Sequence, residues 1–370
     1  HHTLREHLQR ITLDWTRQLA AAHQAGPAGL DHAARWLASC PLWAVATRPG
    51  GADADADAGG AGAGAGLAPT AAWLEARLFH QPLADWLTAW DSDPGAALQA
   101  WCRRAASPTA GLLSALLAAE RAQRGAGAGS SAALPGAAPL RPHASAAGLR
   151  ALAAQLRVDP AWHRQPQWQG RCAETGPWTR LAEPAPQRFD SATLRLGARL
   201  ADIARLALPD DGQRQGADGL ALGALALGDG QAIAWVEMAR GLLLHWLRLD
   251  PAAARQPLAA QRADAVVLGC AVVAPTDWNF HPRGAVAQAL ACLAAPWPLA
   301  ANATEGSTAA GAGRSVQLPA HDPALAALLA AYDPCVPCDI EPPTLPQAAA
   351  VPPTPSAAAG QPPTAELRHA

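Results

Sequence analysis

The sequence predicts a mostly α-helical chain with short β segments, an α+β fold. Three observations carry that expectation. Apolar residues recur at three- and four-residue spacing along most of the chain. Half of all residues are hydrophobic and 16% are charged, the balance of a globular protein with low-complexity inserts. One glycine-punctuated stretch, Gly219 to Gly230, breaks the helical period and reads as a β-turn or hairpin before the run Ala232 to Trp246. A length of 370 residues suits one large domain or two smaller ones. Residues 1–341 are read as one domain and 342–370 as a Pro- and Ala-rich disordered tail.

Taken in order, Leu4, Leu8, Ile11 and Trp15 mark one face of an N-terminal helix. Trp73, Leu74 and Leu78, then Leu83, Trp86, Leu87 and Trp90, predict two short helices broken at Pro82. Leu194, Leu196, Leu200, Ile203 and Leu206 predict another, with Asp190 or Ser191 as its N-cap. A last short helix runs from Pro323 to Tyr332 directly into Asp333-Pro334-Cys335. Three stretches poor in large apolar residues, about 50–66, 125–139 and 300–313, read as flexible surface insertions. Most of the 14 tryptophans sit at helical spacing with leucines and are read as core.

The formal charge of −2, from 28 basic and 30 acidic residues, argues against a nucleic-acid partner. All 28 cations are arginines, which with the Ala, Gly and Pro content points to a GC-rich codon bias rather than an adaptation. No apolar run reaches the ~18–20 residues of a membrane span, and His1 to Arg10 lack the apolar stretch of a secretion signal. The chain begins at His1 rather than a methionine and reads as a possible fragment, so features upstream are not counted as absent. Seven scattered cysteines do not form a disulfide framework, and the expected compartment is the cytoplasm.

The one close cysteine pair lies in Asp333-Pro334-Cys335-Val336-Pro337-Cys338. Two thiolates at this spacing can converge on one soft metal ion or exchange as a dithiol. A four-cysteine zinc site would need a second close pair, and Cys40, Cys102, Cys172, Cys270 and Cys292 are isolated. A thioredoxin-like motif should follow a strand and open a helix, whereas this pair follows a helix and precedes Pro342 and Pro343. Spacing alone leaves metal binding, redox chemistry and no function open. Three other stretches combine charge with Gly or Pro: Gly170 to Arg180, Trp235 to Gly241 followed by His245-Trp246, and Val272 to Arg283.

In their order, these four segments resemble the large subunit of nickel–iron hydrogenases. That family carries Glu-x-Gly-Pro-Leu-Ala-Arg, then Glu-Ala-Pro-Arg-Gly ahead of His-Trp, then Val-Pro-Ser/Thr-Thr-Trp-Asn, and ends in Asp-Pro-Cys-x-x-Cys-x-x-His. The likeness covers Gln165 to Glu341, and Leu13-Asp14-Trp15 resembles the helix after the family's first cysteine motif. It implies a large-subunit-like helical core, with Cys335 and Cys338 as thiolates at a metal centre whose iron bears cyanide and carbon monoxide. Arg240 matches the arginine over the metals, Thr276 the hydroxyl that donates to a cyanide, and Asp333 the carboxylate beside the cysteines. Pro275 belongs to the same cyanide-binding shell. Glu174, Gly176, Pro177, Arg180, Glu237, Gly241, Trp278 and Asn279 match structural positions of the motifs.

The departures narrow the resemblance. Ala239 replaces a proline, Met238 an alanine and Asp277 a threonine, and Glu341 stands where the terminal histidine marks a protease cleavage site. A degraded histidine position and a tail without a processing signal resemble the HupK/HoxV-type accessory proteins, paralogues of the large subunit that act in maturation. That implies a non-catalytic scaffold holding an iron–cyanide–carbonyl fragment through Cys338, with Cys335 assisting, and passing it to the large-subunit precursor. Nickel is not expected; other maturation proteins are expected partners, and nucleic acid and membrane insertion are not. Two alternatives from different classes remain: a catalytic large subunit, and a chaperone that binds no metal. Bland roles are expected for the rest: Cys102, Cys172, Cys270 and Cys292 as small core residues, His245 and His281 as structural imidazoles, and Arg171 and Arg180 as partners of carboxylates such as Glu174.

Overall fold

The computed structural model describes residues 2–16, 27–44, 63–125, 134–208 apart from positions 135, 160, 182 and 184, then 222–250, 266–294 and 323–334. The N-terminal helix α1 (His2–Gln9) continues through a π turn over Arg10–Asp14. Helices α2 (Pro27–Ala38), α3 (Pro41–Ala44) and α4 (Ala63–Leu74) follow, the last extended by a π turn over Glu75–Phe79. Next come α5 (Leu83–Ser92), α6 (Pro94–Arg104), α7 (Pro108–Gly125), α8 (Ala146–Val158) and α9 (Ala192–Ala207). Strands β1 (Leu222–Gly228), β2 (Gln231–Met238), β3 (Gly241–Leu249) and β4 (Val267–Val273) precede α10 (Pro275–Asn279), α11 (Ala285–Ala294) and α12 (Pro323–Tyr332).

Helix α9 is the axis of the helical body. Ser191 caps it, its hydroxyl accepting from the Leu194 N–H at 3.1 Å. Helices α1, α4, α5, α6, α7 and α12 pack around it, and nearly every residue of α9 is buried. Gly197 admits this crowding: a Cβ there would stand 2.7 Å from the Trp90 ring. The predicted face Leu4, Leu8, Ile11 and Trp15 is buried against the same core, as are Leu74, Leu78, Leu83, Trp86, Leu87 and Trp90. Pro82 breaks the chain between α4 and α5 as expected, standing at the N-cap of α5.

The β segments form one antiparallel sheet in the order β1-β2-β3-β4. Asp229 and Gly230 both take positive φ in the two-residue β1–β2 loop, the turn that matches the twist of paired strands. Ala239 and Arg240 form the equally short β2–β3 turn, where Met238 pairs with Gly241. The sheet's inner face, including Ile233, Leu244, Trp246, Ala271 and Val273, packs with Leu149, Leu152 and Leu156 of α8 in a second core.

Two expected insertion boundaries shift. Residues 63–66 already belong to α4. Leu134 and Ala137 are buried in the main core, because Glu174 pairs by backbone bonds with Ala138 and Leu140 and ties residues 138–140 down. Residues 300–313 and the tail 342–370 lie outside the described residues. No described helix is long and apolar enough to cross a membrane.

Candidate functional site

Helix α9 carries Arg195, Arg199 and Asp202, all buried, at spacings that place them on one face of the helix. Each organises a different part of the site. Arg199 donates to the Ala239 carbonyl at 2.8 Å and to the Ala331 carbonyl at 3.2 Å. It thereby holds the turn bearing Arg240 against the end of α12, and its Nη2 lies 3.6 Å from the Asp333 carboxylate. Arg240 approaches the same residue from β2–β3, its Nε 3.0 Å from the Asp333 carbonyl and 3.3 Å from a carboxylate oxygen. Arg10, after α1, bonds that carboxylate as well. Asp333 is thus a buried anion ringed by three arginines, two positions before the first cysteine of the pair. Its φ of +51° is a left-handed conformation that aspartate tolerates better than most residues, and it turns the chain sharply out of α12. Burial pulls the Arg199 guanidinium down to about 10, with Arg10 and Arg240 adding to the effect against Asp333; it stays charged at neutral pH.

Arg195 supports the first motif. Its Nε and Nη2 reach the two oxygens of Glu174 at 2.6 and 3.0 Å, a bidentate pair. Trp178 Nε1 and the Tyr332 hydroxyl also donate to Glu174, at 2.5 and 3.1 Å. Burial first, and Glu174 second, push the Tyr332 phenol well above its usual range, so it remains a donor. Next door, Thr175 is clamped by Asn279, whose Oδ1 accepts from its N–H at 2.9 Å and whose Nδ2 donates to its carbonyl at 2.8 Å. The Thr175 hydroxyl accepts from the Leu242 N–H at 2.8 Å. Gly241, at φ +134°, must be glycine, since a Cβ would fall 2.6 Å from that hydroxyl. Gly176 leaves room for the Trp178 ring in the same way, and Pro177 opens the buried turn Pro177–Thr179.

Arg180 pairs with a carboxylate as expected, though with Asp202 rather than Glu174, which Arg195 occupies; it is bonded through Nε and Nη2 at 2.8 and 2.7 Å. His7 bonds the same carboxylate at 2.7 Å, and Glu237 lies 3.6 Å from Arg180 and 3.0 Å from His143. A buried chain of hydrogen bonds and ion pairs therefore runs from His143 through Glu237, Arg180 and Asp202 to His7. Burial alone would push the Asp202 carboxyl up, but Arg180 and His7 hold it well below the usual range. Arg171 is exposed.

Hydrogenase expression/formation protein HoxV of Cupriavidus necator is 36% identical over 345 residues, covering 92% of this chain and 76% of that protein. This chain belongs to the family of HoxV/HupK-type hydrogenase expression/formation proteins. HupK of Bradyrhizobium diazoefficiens is 33% identical over 189 residues, half of this chain and 43% of that protein. HupK of Rhizobium leguminosarum is 31% identical over 142 residues, 37% of this chain and 35% of that protein. No family model and no solved structure matches the chain.

In this HoxV/HupK-type chain the described parts of the four motif segments converge. Tyr332 and Glu174 join the first to the last, Thr175 joins the first to the second and third, and Arg240 and Asp333 join the second to the last. Pro275 opens α10, and Asp277 reaches back from the third residue of that helix to accept from the Ala274 N–H at 2.7 Å, a capping role that explains an aspartate where threonine was expected. Trp278 is buried against Trp162, and Thr276 stands half-buried in the first turn of α10. Cys335, Cys338 and Glu341 lie outside the described residues. Among the described residues no group of three or more His, Cys, Asp or Glu is placed to hold a metal ion.

The other cysteines are not uniformly core. Cys270 is exposed and Cys102 half-buried, because Cys270 falls on the outward alternation of an edge strand. Burial nonetheless raises the Cys102 thiol to about 11. Half-buried Cys172 lies 3.2 Å from Nδ1 of buried His281, which bears out a hydrogen-bonded imidazole; His245 is exposed on β3. Sequence inspection missed Arg10, His143, Thr175, Arg195, Arg199 and Asp202. The signal for three of them was visible: charges at i, i+4 and i+7 inside an otherwise apolar helix.

Proposed function

We propose that this protein is a non-catalytic scaffold of nickel–iron hydrogenase maturation, built on a large-subunit-like core. It holds an iron–cyanide–carbonyl fragment at Cys338, with Cys335 assisting, and delivers it to the large-subunit precursor. The observation that supports this most is the placement of Arg240. Only its Nε is engaged by Asp333, and its Nη groups make no hydrogen bond among the described residues. Among the described residues, four of its N–H donors are thus unused, beside the helix end that leads to the thiols. Cyanide bound to iron is an anionic acceptor that needs such donors when removed from water, and the Thr276 hydroxyl, one residue into α10, is a candidate second donor. With Asp333 and Glu6 counted against Arg10, Arg199 and Arg240, the cluster retains a positive charge suited to an anionic fragment. Two thiolates rather than four make a weaker, exchangeable site, as delivery requires.

Infrared spectroscopy tests this. The chain, produced without oxygen beside active general hydrogenase maturation proteins, is expected to show cyanide and carbonyl bands in a window where protein is silent, and Cys338→Ser to abolish them. A blank spectrum from folded wild-type protein would favour the metal-free chaperone.

A further inference from the structure

We propose that the outward face of the four-stranded sheet is a dimer seam, against which a second copy of this chain packs sheet on sheet. In an antiparallel sheet with one face on the core, the other face is ordinarily polar. Here the registered rows across that face are Leu222–Val236–Leu243, Ala224–Ala234–His245–Val272 and Ala226–Ala232–Leu247–Cys270, with exposed Leu268 next to them at the β4 register shift. No position is charged, and His245 is the sole polar side chain. The rim stands in solvent, with Leu222 72%, Leu268 49% and Val272 43% exposed. Contiguous apolar surface of this kind marks an interface.

Residues 209–221 and 251–265 contain one large apolar residue each, Leu220 and Leu258, among prolines, glutamines and charges. Absence of charge argues for an equally uncharged partner surface, and near-complete apolarity is the character of homodimer interfaces rather than transient ones.

Its relief selects a second copy. The β1–β2 half is a trough floored by Ala224, Ala226, Ala232 and Ala234, whereas the β3–β4 half is a ridge of Leu243, His245, Leu247, Leu268 and Val272. A two-fold axis parallel to the strands, lying between two facing sheets, lays the ridge of each copy into the trough of the other. Such stacking places the sheets about 10 Å apart. The face spans about 19 Å across four strands and about 24 Å along seven residues. In plan that is about 460 Å², over half of the ~800 Å² per partner of a standard interface before side-chain relief is added.

Sedimentation velocity on the full chain over a dilution series, with site-resolved maleimide labelling of Cys270, tests the seam. The expected mass is twice 38.0 kDa, with Cys270 labelled slowly. Ala234→Glu, a carboxylate in the trough, should give a monomer of unchanged circular dichroism with Cys270 labelled at least tenfold faster. Leu247→Ala, a milder change to the ridge, should weaken the dimer at least tenfold and serves if the glutamate variant does not fold. A wild-type monomer overturns the proposal: with Cys270 fast the face is bare, and with Cys270 slow the chain covers it itself. A dimer indifferent to both substitutions overturns it as well.

Discussion

Asp333 shows how much of this molecule turns on single side chains. Its carboxylate is the common partner of Arg10, Arg199 and Arg240, and removing one member of a buried charge cluster leaves the others uncompensated. Asp333→Asn, which keeps the volume, is expected to lower stability by about 3–5 kcal/mol, measured by urea unfolding; a loss under 1 kcal/mol would mean the arginines find solvent instead. Gly241 is constrained by both backbone and space, with φ +134° and no room beside Thr175. Gly241→Ala is expected to cost at least about 1–3 kcal/mol and to loosen Arg240 in the adjacent turn. A variant as stable as wild type would show that the turn relaxes freely.

At the scale of elements, periodicity revealed α1, α5 and α9 because each carries a recurrent apolar face, whereas α12 is apolar almost throughout and was legible as a short helix by composition. The hairpin was legible in its Asp-Gly turn for a related reason, since few residues other than Asn, Asp and Gly take positive φ readily. The charged stripe of α9 is visible as a spacing but not as an interior: on a half-buried helix Arg195, Arg199 and Asp202 would face solvent, and only a helix surrounded on every side buries them. The motif segments could be recognised, but not their joints: Thr175 has no chemical distinction in the sequence, yet three segments meet on it. Arg180 finds a carboxylate as expected, but it is Asp202 on α9 rather than the sequence neighbour Glu174, because Arg195 already occupies Glu174. The outward apolar face of the sheet was likewise invisible until register assigned each alanine and leucine to a side.

Across the whole molecule, the buried chain from His143 to His7 ties the N-terminal helix to α9 and to the sheet. Its pH response follows from the direction of two shifts. Burial lowers the His7 pKa from 6.5, against the pull of Asp202, and Asp202 is held below its ordinary 3.8. In both cases the unfolded chain takes up a proton before the folded one, so stability falls as pH falls. The decline should begin near pH 6.5 through His7 and steepen below about 4 through Asp202. His7→Gln, which retains an N–H donor to Asp202, should flatten the first part in pH-dependent unfolding; stability that rises on acidification to pH 5 would mean His7 is charged when folded.

Family membership places the chain among hydrogenase expression/formation proteins, and the proposed role for it rests on the arginine cluster beside Asp333. The central claim is that Arg240 offers its free donors to iron-bound cyanide. Infrared spectra of wild type and Arg240→Leu, both purified without oxygen beside active maturation proteins, test it most directly. Cyanide bands that shift in the variant while the carbonyl band persists are the expected result. Identical cyanide bands in the two proteins, or no bands in folded wild type, would contradict it.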